Sequence, residues 1–244
     1  MSPPSSANTS RGLSWPELVP ATLIKRYKRF LADVKLENGE TVTVHCPNTG
    51  SMAGCSEPGR RVYLSAHDNP GRKYKYTWEL IAMPTSLVGV NTLIPNRLVG
   101  KSIEQQLIPE LAQFSRVKRE VKIGEHSRID LLLTGSSGER CYIEIKNCTL
   151  VTDGVAQFPD AVTTRGMRHI IELEKLVKAG HRSMMFYFIQ RMDARVFRPA
   201  DHIDPDYGRR LRQAAEKGVE VIAYDVRISL EAIELNQNIP CELL

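Results

Sequence analysis

The sequence has few cysteines, few aromatic side chains and no long hydrophobic run. Its five cysteines are odd in number and include no Cys-x-x-Cys pair, which argues against a disulfide framework or a zinc knuckle, and we expect mainly buried thiols. No apolar run approaches the roughly 18 residues that a membrane-spanning helix needs, and the apolar stretch near the N-terminus is too short for a signal peptide. We therefore expect a cytoplasmic protein without a membrane partner.

The 244 residues have a globular composition, 42% hydrophobic and 25% charged, which excludes a chain that is disordered throughout. The formal net charge of +5 permits a polyanionic partner without requiring one. Most of the excess lies near the N-terminus, because residues 1–80 hold 11 basic and 7 acidic side chains.

The first third of the chain has the pattern of a small β-domain. Residues 1–12 are rich in Ser and Pro, and we predict a flexible tail that extends to residue 20. Short strands separated by Asn-Gly and Pro-Gly turns follow, and the clearest span residues 30–36, 41–45, 61–65 and 76–83. Five short strands with this punctuation predict a small closed barrel of the OB type over residues 21–83.

After residue 83 the pattern changes to alternating helices and strands. The predicted helices span residues 90–110, 158–179 and 205–217, and the predicted strands span residues 116–123, 127–133, 141–146, 183–189 and 219–224. These elements predict an α/β domain over residues 84–235, followed by a C-terminal tail at residues 236–244. The fold class is therefore α/β (α+β overall), with a small N-terminal β-barrel before the α/β domain.

The most informative segment is a predicted β-hairpin whose strands carry three charged residues in apolar surroundings. Side chains alternate along a strand, so Glu144 and Lys146 lie on one face. Asp130 lies on the neighbouring strand, where a suitable register places it beside Glu144. Two adjacent carboxylates repel each other, so one takes up a proton unless a divalent cation neutralises them, and oxygen ligands favour magnesium or manganese.

Such a cation would acidify a bound water, and Lys146 would orient that water or stabilise negative charge on a phosphate. This chemistry is phosphodiester hydrolysis with Asp130, Glu144 and Lys146 as catalytic residues. The alternative is a structural Glu–Lys pair at the end of a sheet, because short motifs match by chance.

The helices on either side of the hairpin add further candidates. Glu104, on the preceding helix, is a third candidate metal ligand, although Glu110 and Glu120 compete with it. On the following helix, Arg165 and His169 lie four residues apart and either contact the scissile phosphate or serve packing. Asp160, near the predicted start of that helix, is expected to cap it.

Two runs in the barrel interleave cations with aromatic rings, a pattern suited to binding phosphates and stacking on bases. The nucleic-acid-binding candidates in them are Lys25, Arg26, Lys28 and Arg29 in the first run, and Arg72, Lys73, Tyr74 and Lys75 in the second. A solvated basic face is the alternative for either run alone. The polar segment at residues 45–51 is read mainly as a turn, with a phosphate contact left open.

Longer strings are more specific than these spacings. The segments LIKRYKRF (23–30), HCPNTGSM (45–52), SRID (127–130) and FPDAVT (158–163) together resemble the sugar fermentation stimulation protein A family from about residue 21 to about residue 235. The resemblance implies an N-terminal OB-fold and a C-terminal PD-(D/E)XK restriction-endonuclease-like domain. It places the nuclease motif on Asp130, Glu144 and Lys146, with Ile129 in place of the eponymous proline.

The family resemblance also implies a sequence-nonspecific DNA partner and a role in maltose metabolism. Together with the site, it predicts a magnesium- or manganese-dependent nuclease that acts on DNA, single-stranded and branched forms included; a homodimer is compatible with it. A catalytically silent DNA-binding regulatory factor of sugar metabolism is the alternative. No helix-turn-helix motif is identifiable that would support operator binding.

Overall fold

The computed structural model describes residues 11–123 and 127–244, so residues 1–10 of the predicted tail lie outside it. Its strands, in chain order, are β1 (Leu13–Ser14), β2 (Leu18–Tyr27), β3 (Leu31–Leu36), β4 (Thr41–His45), β5 (Arg61–Ala66), β6 (Tyr76–Ala82), β7 (Leu87–Gly89), β8 (Phe114–Ile123), β9 (Ser127–Gly135), β10 (Arg140–Cys148), β11 (Leu150–Thr152), β12 (Val155–Phe158), β13 (Arg182–Ile189), β14 (Val196–Pro199), β15 (Glu220–Ile228) and β16 (Ala232–Ile239). The helices are α1 (Ile94–Glu104), α2 (Thr164–Lys178) and α3 (Pro205–Glu216), and a 3-10 turn spans Pro109–Leu111.

Strands β2 to β6 form the predicted closed barrel. They are paired in the order β4-β3-β2-β5-β6, and a parallel pairing of β4 with β6 through His45 and Thr77 closes the ring. The alternating apolar residues of the strands fill the interior around the fully buried Trp78. Strand β4 has the predicted bounds, and Gly39, with φ at +89°, occupies the predicted Asn-Gly turn between β3 and β4.

The second part of the chain is built on a seven-stranded mixed sheet in the order β1-β16-β15-β13-β10-β9-β8. Helix α1 packs its apolar residues on one face, and α2 and α3 cover the other. Strands β10, β13 and β15 are parallel, and the central strand β13 is buried on both faces, which explains its nearly continuous apolar sequence. The predicted α/β domain is therefore confirmed, with the hairpin β9–β10 beside its central strands.

Several predicted boundaries are wrong at the ends of the elements. Residues 13–20, assigned to a tail, form β1 and the start of β2. The prediction of a C-terminal tail at residues 236–244 is also wrong. Strand β16 pairs with β15 as far as Ile239, and Cys241 forms an isolated backbone β-bridge with Phe197. The first helix is shorter than predicted at both ends.

The predicted helix at 158–179 begins only at Thr164. Before it lie the unpredicted strands β11 and β12, a hairpin that turns at Asp153 and Gly154 and forms a three-stranded sheet with β14. Both turn residues have positive φ, which is the Asp-Gly signal for a tight hairpin. Within the described ranges, none of the helices has the length and hydropathy to cross a membrane.

Candidate active site

The hairpin brings Asp130 and Glu144 together as predicted. Strands β9 and β10 pair in register from Thr134 with Arg140 to Leu131 with Ile143, so Asp130 is the first β9 residue beyond the ladder. Its Oδ2 atom accepts a hydrogen bond of 2.8 Å from the backbone N–H of Ile145. The carboxylate thus accepts a hydrogen bond from a backbone N–H group at the point where the strands separate, and this contact fixes the orientation of the carboxylate.

A second hydrogen bond holds Asp130 from the opposite element. The side-chain amide of Asn96, in the first turns of α1, donates to Asp130 Oδ1 at 2.8 Å. Helix α1 begins at Ile94 with a proline in its first positions, which places Asn96 at the helix end that meets the sheet. Asn96 escaped the sequence analysis because nothing local distinguishes a helical asparagine that contacts a strand 34 residues later.

Glu104, the predicted third metal ligand, does not belong to this cluster. It is exposed at the far end of α1, about 12 Å along the helix axis from Asn96 at about 1.5 Å per residue. Its carboxylate forms an ion pair of 3.1 Å with Arg119 on β8. The prediction placed the acidic residue on the correct helix but at the wrong end.

Glu144 is only 2% exposed and is held by two side chains, Lys146 and His169. Lys146 Nζ lies 2.7 Å from Glu144 Oε1, and His169 Nδ1 makes a short contact with the same oxygen. Lys146 Nζ also lies 3.1 Å from His169 Nδ1. Burial alone would raise the pKa of Glu144, but the Lys146 charge and the His169 hydrogen bond bring it below its ordinary value.

The electrostatics of the two carboxylates differ. Burial and the neighbouring charge of Glu144 raise the pKa of Asp130 to about 6. Glu144 Oε2 is buried, and no hydrogen-bond partner for it occurs in residues 11–123 and 127–244. A buried carboxylate oxygen without a donor beside a second carboxylate is costly, and a cation between them would remove that cost.

The donor set fits magnesium or manganese, which prefer oxygen ligands. No cluster of three or more His, Cys, Asp and Glu side chains suited to a metal occurs in the described parts of the chain. The candidate ligands are therefore the two carboxylates Asp130 and Glu144. Such a pair resembles sites in which Mg²⁺ keeps several waters and binds substrate phosphate oxygens.

Helix α2 delivers His169 and Arg165 to the site. Thr163 caps the helix by accepting from the N–H of Gly166, so the prediction that Asp160 caps it is wrong. Arg165 is exposed, whereas His169 is engaged by Glu144. His169 therefore lies within the carboxylate cluster, and Arg165 keeps an exposed guanidinium for a phosphate.

Two adjoining cavities give access to the carboxylates. One, of about 200 Å³, is lined by Asp130, Glu144, Lys146 and Asn96. The other, of about 500 Å³, reaches Asp130 past three arginines, which are Arg128, Arg165 and Arg168. Sequence analysis missed Arg128 and Arg168, although Arg128 neighbours the motif and Arg168 lies one helical turn from Arg165. We call these three side chains the arginine rim.

The first basic run is only partly available to a ligand. Arg26 donates to the backbone carbonyl oxygens of four residues, which are Arg29, Asn48, Gly50 and Ser51. Its predicted role in nucleic-acid binding is therefore corrected to bracing the loop at residues 48–51. Lys28 and Arg29 are exposed at the tip of the β2–β3 hairpin, and Lys25 lies 3.6 Å from Asp33.

The braced loop also explains the polar segment at residues 45–51. Ser51 Oγ donates to Asp160 Oδ2 at 3.0 Å, and the N–H of Met52 donates to the same oxygen at 3.0 Å. The segment is thus a turn that fastens the barrel to the loop before α2.

In the second basic run, Arg72, Lys73 and Lys75 are exposed. The two lysines lie over the rings of Tyr74 and Tyr76.

Comparisons with known proteins agree with both parts of this structure. A family model described as the SfsA N-terminal OB domain matches residues 24–90, and one described as the sugar fermentation stimulation protein RE domain matches residues 93–232. A sugar fermentation stimulation protein homolog of Geotalea daltonii is 52% identical over 225 residues, which cover 92% of this chain and 97% of that protein. The homolog of Geobacter sulfurreducens is 50% identical over 223 residues, covering 91% and 95%.

A solved structure also matches the whole fold. It is described as Pyrococcus furiosus SfsA in complex with Ca²⁺, and it is 28% identical with a TM-score of 0.87, covering 96% of this chain and 99% of that one. The OB barrel followed by an endonuclease-like α/β domain is therefore the fold of this chain. The chain belongs to the sugar fermentation stimulation protein family.

Proposed function

We propose that this protein is a divalent-cation-dependent, sequence-nonspecific DNA nuclease that hydrolyses phosphodiester bonds in the cytoplasm. The observation that supports it most is the pair Asp130 and Glu144, two adjacent carboxylates with one buried oxygen to which none of the described residues donates. The Ca²⁺ in the Pyrococcus furiosus relative supports a divalent cation in this fold. Magnesium or manganese is the proposed ion here because either combines with carboxylates, water and phosphate oxygens.

Asp130 and Glu144 are the residues that would hold the cation. When bound, it would supply charge neutralisation at the phosphate and lower the pKa of a water nucleophile. The hydrogen bonds from Asn96 and Ile145 keep the Asp130 carboxylate oriented toward Glu144. Such partners of metal ligands position the ligands before the ion arrives.

Lys146 is the proposed catalytic cation. Its ammonium lines the same cavity as the carboxylates and lies within hydrogen-bonding distance of Glu144. It would therefore orient the attacking water or stabilise charge that develops on the phosphate. His169 contacts the same oxygen of Glu144 and positions it, and Arg165 would bind a phosphate oxygen at the mouth of the cavity.

The arginine rim and the exposed barrel cations support DNA as the substrate. Lys28, Arg29, Lys73 and Lys75 are exposed and offer charges to a phosphate backbone. Contacts to phosphates carry no sequence information, which favours binding without sequence preference. Tyr74 and the neighbouring rings would stack on exposed bases.

The proposal is tested by incubating labelled single-stranded, duplex and branched DNA with the protein and Mn²⁺ or Mg²⁺. Cleavage by the wild type that stops with EDTA and is absent in Asp130→Asn is the expected result. The matched control is Asp206→Asn, which removes an exposed carboxylate from α3 and should cut at the wild-type rate. If both variants cut equally, a contaminating nuclease is responsible; if DNA binds and none is cut, the silent regulatory factor is the better description.

A further inference from the structure

A separate cavity of about 290 Å³ lies between the barrel and the start of α1. Its walls include His45, His67 and Arg72 from the barrel and Arg97 from α1. We call it the interface cavity. The first turn of α1 separates it from the carboxylates, because Ile94 and Arg97 line the interface cavity whereas Pro95 and Asn96 line the other.

Two guanidinium groups offer positive charge at the interface cavity, one from the barrel and one from α1. Arg72 and Arg97 are both exposed, and Arg72 Nη2 donates to Thr77 Oγ1 at 3.2 Å. Glu79 also lines the cavity, but Ser65 and Asn91 donate to its two oxygens at 2.7 and 2.8 Å. The carboxylate is thus engaged by protein donors, and the two guanidinium groups remain to meet an anion.

Two imidazole rings also line the cavity, from His45 and His67. His67 Nε2 lies 3.0 Å from Thr77 Oγ1. His45 Nδ1 is buried, and the described part of the chain provides no hydrogen-bond partner for it. A buried ring nitrogen without a partner is uncommon, and a ligand that bonds to it would remove the cost.

Apolar side chains also line the interface cavity, and one of them is aromatic. Trp15 Nε1–H donates to the carbonyl oxygen of Ser229 at 3.1 Å, so the indole has a fixed position. Leu93, which is 65% exposed, and Ile94 are further apolar lining residues. A cavity lined by guanidinium groups and an indole suits a group that combines a phosphate with a flat ring.

We propose that the interface cavity binds one unpaired nucleotide of the DNA strand whose neighbouring phosphodiester lies at Asp130 and Glu144. Its phosphate contacts Arg72 and Arg97, and its base lies toward Trp15. The placement follows from α1, since Asn96 and Arg97 are consecutive residues, with Cα atoms about 3.8 Å apart, that serve the two cavities.

This inference rests on the proposed function and narrows its substrate. A base in a continuous duplex is stacked and paired, so it enters a pocket only at the cost of unpairing. DNA that is single-stranded or carries unpaired nucleotides beside the cleavage site is therefore the preferred class.

The test is a binding measurement in EDTA, where metal-dependent hydrolysis does not occur. Fluorescence anisotropy compares a single-stranded oligonucleotide with a duplex of equal length, for the wild type and for Arg72→Gln/Arg97→Gln. The matched control, Arg198→Gln/Arg209→Gln, removes two exposed arginines from β14 and α3. Arg72 and Arg97 are exposed, so the fold should survive, and thermal unfolding checks this.

We expect the cavity variant to bind the single strand about tenfold more weakly and the duplex at most about twofold more weakly. The control should leave the ratio of the two affinities unchanged. Equal losses on both DNA forms, or no loss, would overturn the inference. The binding measurement requires no cleavage. If no cation supports hydrolysis, the proposed nuclease function is wrong, but the measured preference for single-stranded DNA still holds.

A calorimetric titration with dAMP shows whether the interface cavity binds a nucleotide within a DNA strand or a free nucleotide. Weak binding of dAMP that single-stranded DNA displaces supports a subsite for the strand. Tight binding of dAMP that DNA does not displace would show a site for a free nucleotide, and the strand proposal would be wrong.

Discussion

Asn96 donates its side-chain amide to Asp130 Oδ1 at 2.8 Å and links the start of α1 to the hairpin that carries the carboxylates. With the Ile145 N–H on the other oxygen, it holds Asp130 in place. Helix α1 therefore acts on the site through an amide near its first turn, and the acidic Glu104 at its last turn pairs with Arg119 instead.

Asn96→Ala should weaken divalent-cation binding about tenfold, because removing a partner of a metal ligand typically costs about 10- to 100-fold in affinity. Glu104→Gln should change it less than about twofold. Calorimetric titration with Mn²⁺ measures both. A larger effect of Glu104→Gln would restore that residue as a ligand and contradict the role given to Asn96.

Asp130→Asn should stabilise the metal-free protein. Burial and the charge of Glu144 raise the pKa of Asp130 to about 6, so near neutral pH the ionised Asp130 opposes folding, and its neutral isostere avoids this repulsion. The expected gain in the free energy of unfolding is about 1–2 kcal/mol. Thermal unfolding in EDTA should show a higher Tm for the variant, and Mn²⁺ should raise the Tm of the wild type only. A lower Tm for the variant in EDTA would contradict the electrostatic argument.

Arg26→Gln should destabilise the barrel. The guanidinium donates to four backbone carbonyl oxygens around residues 29 and 48–51, and glutamine cannot replace this set. We expect a loss of about 1–3 kcal/mol in the free energy of unfolding, measured by urea denaturation. A variant as stable as the wild type that has lost DNA affinity would instead return Arg26 to the DNA-binding surface.

Lys28→Gln/Arg29→Gln should leave the stability of the barrel unchanged and weaken DNA binding. Both side chains are exposed at a hairpin tip, so stability should stay within about 0.5 kcal/mol of the wild type. DNA affinity should fall, and the slope of log K against log salt should decrease by about 0.9 for every duplex phosphate that the variant no longer neutralises. Anisotropy titrations at several salt concentrations provide the slope; an unchanged slope would mean that the tip does not touch DNA.

Asp160→Ala should loosen the fastening between the barrel and the loop before α2. The carboxylate accepts from Ser51 Oγ and from the N–H of Met52, both at 3.0 Å. Loss of these hydrogen bonds should lower the free energy of unfolding by about 1–2 kcal/mol. It should also speed hydrogen exchange at residues 48–52. Asp68→Ala, at an exposed residue of the barrel, is the control and should leave exchange there unchanged. Equal exchange in both variants would mean that the Asp160 carboxylate does not hold the loop.

The sequence predicts the hairpin and its charged residues well because the signal is local. Alternation along β9 and β10 puts Glu144 and Lys146 on one face, and a register fixed by a short turn brings Asp130 beside them. The barrel is predictable for the same reason, since each strand is bounded by its own turn residues.

Contacts between distant segments are not predictable from such patterns. Nothing near Asn96 signals a strand 34 residues away, and Arg26 in a basic run has the same sequence appearance whether it meets phosphate or carbonyl oxygens. Strand β16 is not predicted because half of its sequence, AIELNQNI, is polar and it owes its pairing to β15. The hairpin at Asp153 and Gly154 does carry a local signal, the Asp-Gly turn, although the predicted elements leave residues 147–157 unassigned.

Calorimetric titration of Mn²⁺ into the wild type, Asp130→Asn and Glu144→Gln decides whether these two carboxylates form a cation site. We expect Mn²⁺ to bind the wild type and the control Arg209→Gln equally well, and each carboxylate variant at least about tenfold more weakly. Binding of equal strength to all four proteins, or no binding to the wild type, would mean that Asp130 and Glu144 do not form a cation site.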